Sequence, residues 1–263
     1  MNAFKFSGMT IHLDVVAGLA NRIRALISGI CMAEDLGTTL VVHWYPFNPA
    51  CVCRIESIFD MRTFPSFVSF SDEPLNLARE CLSAADMIKF IELFKKKSVI
   101  QIKSYGRFHT TDPSRWIRYL RAMKPSRDIS LQLEERLADI DFSKVLGVHI
   151  RRGDNEKAIH QSPFQGFKKY LESSESPFLL VTDDNAIKQI LPSMFSGRCF
   201  TAAKLLSRES EDGMKEAAID FFALARCPTI LGSACSSFSE IAALYGNSKL
   251  SLVTREYYPS FFT

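Results

Sequence analysis

The apolar run at 145–148 leads into His149, Ile150, Arg151, Arg152, Gly153 and Asp154. Two arginines beside a glycine at the exit of a strand present planar donor forks suited to two-point contact with phosphate oxygens. The same letters also read as an ion-pair cluster closed by Asp154. Glu156 lies just beyond, so the segment carries carboxylates able to take a proton next to guanidiniums able to hold an anion. Asp154 has a second candidate role, holding Arg152 or the loop itself.

Other segments sit where strands run out into loops. After FLLVT come Asp183 and Asp184. Neighbours on extended chain point to opposite faces, so this pair does not chelate a metal without a turn. Either one can instead cap the helix that begins near Asn185. Asp220, in AIDFFALARC, lies on a stripe of Ala, Ile, Phe and Leu, where an unpaired carboxylate is costly. It reads as an acceptor for the two adjacent N–H donors of a guanine edge, an arrangement that adenine and uracil lack, or as a residue on the solvated edge of its helix. The stretch at 232–239, GSACSSFS, offers small residues and, at Ser236 and Ser237, first-turn amides and hydroxyls for a phosphate. Ser237 doubles as an N-cap candidate. Nearer the amino terminus, Gly18 permits close approach to a pyrophosphate, and Asn21 can donate to a phosphate oxygen or sugar hydroxyl, or cap its own helix. The three-glycine dinucleotide fingerprint is absent, which argues against a nicotinamide enzyme.

The elements that must position these residues follow from periodicity. TIHLDVV reads as a strand, 19–36 as a helix closed by Gly37, and TTLVVHW as a second strand, the opening of a Rossmann-like parallel sheet. A strand at 67–70, a helix at about 76–96 and a strand at 99–103 follow. From about 106 to 141 the chain turns polar and basic, with helical periodicity interrupted by Pro113 and Pro125. A second alternating series then runs through VLGVHI, FKKYLES, FLLVT, NAIKQIL, KEAAIDFFALA, PTILG, FSEIAALYG and LSLVT. The expected architecture is α/β, with two small lobes facing each other across a cleft: an N-terminal lobe over 1–125 and a C-terminal lobe over 126–263.

With 263 residues and 47% hydrophobic content, the chain can bury a sizeable core. A formal net charge of +3 offers no global field for nucleic acid or acidic membranes, so any anion site must be local. No apolar run is long enough for a membrane span and no secretory leader is evident, so the reading is cytoplasmic. Seven cysteines without a paired framework fit a reducing compartment, and Cys51 with Cys53 lacks partners at zinc-ligand spacing. Trp44, Tyr45, Phe47 and Trp116 read as core aromatics or as the lining of an acceptor groove.

Taken together, GLANR, HIRRGD, VTDD, the helical Asp220 and GSACSSFS resemble the superfamily of α1,2-, α1,6- and protein O-fucosyltransferases, including the nodulation-factor enzymes. The resemblance implies a GT-B-like pair of Rossmann-like lobes and an inverting transfer of fucose from GDP-fucose to a glycan hydroxyl, with no metal and no other cofactor. It places Arg151 on the diphosphate, His149 and Asp220 at guanine, Asp184 as the second acid of the strand-end pair, and Ser236 or Ser237 on a phosphate. Asn21 looks like the asparagine of the glycine-rich turn. Arg152 and Gly18 join the donor-binding set, and Glu156 or Asp154 is the candidate base. The rival readings are a transferase for another GDP-sugar, such as mannose or rhamnose, and a non-catalytic nucleotide-binding module.

Overall fold

The computed structural model describes residues 9–76, 78–83, 85–87, 98–109 and 111–255. The first strand, β1 (Thr10–Val15), buries Ile11, Leu13 and Val15. Helix α1 (Leu19–Leu36) follows and is closed by Gly37, whose φ of 61° lets its N–H return to the carbonyls of Ala33 and Glu34. A side chain at that left-handed position would be strained, so glycine stops the helix where the sequence predicts. Strands β2 (Thr39–His43), β3 (Val68–Ser71), β4 (Arg79–Glu80) and β5 (Val99–Ser104) complete a parallel sheet in the order β3-β2-β1-β5-β4.

The expected helix at about 76–96 needs correction. Arg79 and Glu80 pair with Ile102 and Lys103 as an edge strand. Both side chains are exposed, so neither has an apolar period to betray the pairing. Residues 85–87 are helical; 77, 84 and 88–96 lie outside the described residues. In the polar stretch, α2 (Pro113–Ala122) and α3 (Arg127–Leu137) form, and Pro113 opens a helix instead of interrupting one. Asp112 caps that start, accepting from the N–H groups of Ser114 and Arg115, and proline at the first helical position gives up no hydrogen bond.

The second sheet is built from β6 (Leu146–Ile150), β7 (Phe178–Thr182), β8 (Cys199–Phe200), β9 (Thr229–Ser233) and β10 (Lys249–Val253), all parallel, in the order β10-β9-β6-β7-β8. Its helices are α4 (Glu156–Gln161), α5 (Phe164–Glu172), α6 (Asn185–Met194), α7 (Glu211–Leu224) and α8 (Ser237–Gly246). Strands β6 and β7 are buried throughout, which is why their sequences are nearly unbroken apolar runs. Val148, Ile150, Phe167, Phe178, Leu180 and Leu191 pack into the core beside them. The strand order reverses at β6, which lies between β7 and β9. In open α/β sheets, the crevice beyond the carboxyl ends at such a point is where ligands bind.

The chain divides into two units, Met1–Ser126 with Arg208–Glu211, and Arg127–Ser207 with Asp212–Thr263. The N–H of Val52 donates to the carbonyl of Arg208 at 3.1 Å, tying the short later segment to the first unit. Among the described residues, no helix is long and apolar enough to cross a membrane.

The far end of α8 is fixed by a close backbone approach. A Cβ on Gly246 would fall 1.9 Å from the carbonyl oxygen of Ala225, an atom with no rotamer to yield. Gly246→Ala is therefore expected to lower unfolding stability by about 1–3 kcal/mol, the usual cost of forced overpacking, read as a reduced urea midpoint at unchanged slope.

Candidate functional site

The turn after β6 takes its shape from Asp183, at the end of neighbouring β7. One carboxylate oxygen accepts the N–H of Arg152 at 2.7 Å, and the other accepts the N–H of Gly153 at 3.0 Å. The second oxygen also pairs with the Arg151 guanidinium at 2.5 Å. A Cβ on Gly153 would lie 2.6 Å from that same oxygen, so the turn closes on the acid only with glycine there. From the other side, Ser233 at the end of β9 accepts the N–H of Arg151 at 3.0 Å and donates to the carbonyl of His149 at 3.3 Å.

The two arginines divide their work. Arg152 spends its guanidinium on the carbonyls of Arg151 and Ser162, and burial pulls its pKa below the ordinary arginine value. The reading of Asp154 as a holder of Arg152 is thus corrected: Asp154 pairs with Arg151, because the Arg152 guanidinium is turned onto backbone carbonyls. The Arg151 side chain is only 15% exposed, so its ion pairs form a half-enclosed cluster, whereas Asp154 is 69% exposed. Glu156 opens α4 in an exposed position, behind its N-cap Asn155.

Asp184 caps α6, accepting the N–H of Ile187 at 2.9 Å. That spends one of its oxygens on the helix, and the acid facing the arginine turn is Asp183. The loop before α8 is pinned by Asn155, whose Nδ2 donates to the carbonyl of Cys235 at 2.9 Å. Ser236, not Ser237, occupies the N-cap position, because the helix begins one residue earlier than a Ser237 cap requires. The Ser236 side chain makes no capping bond.

His149 is buried and stacks on Phe238, with ring centroids 5.1 Å apart. Burial drives its pKa down to about 4, so the imidazole is neutral near pH 7, and its Nδ1 has no hydrogen-bond partner. Asp220 is only 5% exposed, which excludes the solvated-edge reading. Its Oδ1 accepts the N–H of Ala203 at 3.0 Å, and burial raises its pKa to about 7. It lines a small cleft with Leu180, Thr182, Lys188, Thr201 and Ala203.

In the first unit, Gly18 is the N-cap of α1 in extended conformation, so Asn21 lies inside the first turn and does not cap; its Oδ1 accepts from Arg24 at 2.5 Å. A Cβ on Gly18 would meet only the Ala50 carbonyl, at 3.8 Å, so neither space nor backbone demands glycine here. Arg22 is fully buried over the Trp44 ring and donates to the carbonyls of Ala17 and Tyr45. Trp44 and Trp116 are core residues, whereas Phe47 is 69% exposed. Among the described residues, no group of three or more His, Cys, Asp or Glu side chains is arranged to hold a metal ion.

Solved structures match over nearly the whole chain. NodZ alpha-1,6-fucosyltransferase soaked with GDP-fucose aligns with a TM-score of 0.62 at 19% identity, over 91% of this chain and 93% of that one. The chain has the fold of a fucosyltransferase. Fucosyltransferase NodZ from Bradyrhizobium aligns with a TM-score of 0.64 at 18% identity, over 90% and 93% of the respective chains. POFUT1 in complex with GDP-fucose gives 0.57 at 12% identity, over 95% and 99%. No family model matches the sequence, and no curated protein does. The paired Rossmann-like sheets that the resemblance implies are those of this fucosyltransferase fold.

Sequence reasoning missed Asp183 as the organiser of the turn, together with Ser233, Asn155 and Lys188. The buried state of Asp220 has a measurable cost. Its folded pKa lies above the unfolded one, so nothing is lost while both states are protonated, and stability falls as pH rises through about 7. Asp220→Asn keeps the acceptor for Ala203 and removes the charge. It is expected to match the parent near pH 4 and to exceed it near pH 8 by on the order of 1–4 kcal/mol, measured by denaturant titration at both pH values.

Proposed function

We propose that this chain transfers a fucosyl group from GDP-fucose to a hydroxyl of a glycan acceptor, inverting the anomeric carbon and using no divalent ion. The C-terminal unit binds the nucleotide sugar, and the N-terminal unit serves the acceptor. One observation carries the reading: Arg151, His149 and the uncapped start of α8 meet at the switch point of the second sheet. The fold they occupy is also that of structures holding GDP-fucose.

In the reaction, the acceptor oxygen bonds to the anomeric carbon as the bond to the β-phosphate oxygen breaks, and negative charge grows on the departing diphosphate. Arg151 and the amides opening α8, near Ser236 and Ser237, supply positive charge where a metal ion would otherwise be needed. Arg151 reaches the phosphate by exchanging its exposed partner Asp154, since a pair of that kind is worth about 0–1 kcal/mol, while Asp183 keeps hold of it. The guanine edge lies against Asp220, whose carboxylate accepts N1–H and the 2-amino group. His149, uncharged and stacked on Phe238, adds a flat wall that places no repelling charge beside Arg151. Glu156 receives the acceptor proton, and Arg152 and Asp184 hold the frame.

Arg151→Ala is expected to leave the fold intact by circular dichroism while lowering the rate of fucose transfer by about 100-fold or more, the usual cost of removing one donor to a developing charge. A rate within about tenfold of the parent would contradict the assignment. Glu156→Gln should lower the rate and remove the acid limb of its dependence on pH, the fall in rate as the carboxylate takes up a proton; unchanged activity across pH would move the base elsewhere. With a chelator present, a donor panel should give turnover with GDP-fucose in preference to GDP-mannose and UDP-sugars.

A further inference from the structure

The cleft holding Asp220 contains a cation that the reading above does not use. Lys188 stands in the second turn of α6, and its Nζ is buried without a hydrogen bond or ion pair among the described residues. A lysine of a surface helix ordinarily extends its ammonium into water, because burying an unpaired charge is costly. The nearby acids are committed elsewhere. Glu216 pairs with Arg136 at 2.6 and 2.8 Å and accepts the N–H of Lys204, and one oxygen of Asp220 is taken by Ala203. Both acids nonetheless feel the charge of Lys188. The cleft is therefore lined both by a lysine nitrogen without a hydrogen-bond partner and by a carboxylate with one oxygen not taken by Ala203.

That pairing has a chemical complement. An edge with N–H donors next to a carbonyl oxygen satisfies carboxylate and ammonium together. Guanine has this edge, whereas adenine puts an amino donor where the oxygen would be. We propose that Lys188 donates to the O6 oxygen of the guanine base and so helps set specificity for guanine nucleotides. The proposal rests on the reading that this unit binds a GDP-sugar, and adds a residue to that site.

The test is a cycle that crosses the side chain with the ligand atom. The full chain and Lys188→Met are titrated by calorimetry with GDP and with the diphosphate of 6-thioguanosine, which keeps N1–H and the 2-amino group but replaces O6 with a sulfur that accepts hydrogen bonds weakly. Lys188→Met is expected to bind GDP about ten- to a hundredfold more weakly, the worth of one hydrogen bond to a charged group, with affinity for the analogue nearly unchanged. Lys188→Arg should recover part of the loss. An equal fall for both ligands would make Lys188 a general attractor of anions and overturn the proposal, as would undiminished GDP affinity in a folded Lys188→Met. A parent chain that binds GDP no better than UDP would overturn the nucleotide assignment itself, and the inference with it.

Discussion

The carboxylate of Asp183 holds together the turn on which the site is built. It accepts two consecutive backbone N–H groups and a guanidinium at once, and the backbone can approach it only at a glycine. Hydrogen bonds to a charged acceptor are worth about twice neutral ones, so this one side chain fixes the direction in which β6 leaves the sheet. Ser233 closes the turn from the opposite strand. The result is a division of labour: Arg152 is sewn into the structure through backbone carbonyls, while Arg151 pairs with half-buried Asp183 and exposed Asp154.

Around that turn the unit accepts polar groups in its interior. His149 is kept neutral by burial, Asp220 is kept partly protonated near neutral pH, and Lys188 has a buried ammonium nitrogen. Each arrangement costs stability in the ligand-free chain. Asp220 and Lys188 line one cleft with Leu180 and Thr182 of β7, and His149 lies in the neighbouring strand β6.

Much of this was legible in the sequence where a local rule governs. The strand–helix–strand opening closed by Gly37 and the arginine pair after an apolar run each declare themselves through period or backbone chemistry. The capping role of Asp184 was one of two alternatives that the letters allowed. Other features depend on pairing between distant segments. Asp183 acts on a turn thirty residues earlier in sequence, and nothing in VTDD says which acid faces it. The two-residue strands Arg79–Glu80 and Cys199–Phe200 are too short for a period to appear. Lys188 hides in an ordinary amphipathic helix, because the feature that sets it apart is a buried nitrogen, not a residue type.

A buried carboxylate that reads a guanine base makes donor affinity depend on pH, and GDP-fucose reports this most directly, because its diphosphate lacks the terminal group that titrates near 6 in GDP. Calorimetry with GDP-fucose and a chelator, from about pH 8 down to about pH 5.5, should show affinity falling as Asp220 takes up its proton below about 7, approaching tenfold per pH unit. The same titration on Asp220→Asn should show weak binding with that slope removed. Affinity that is level across this range, or a slope that survives in Asp220→Asn, would contradict the account.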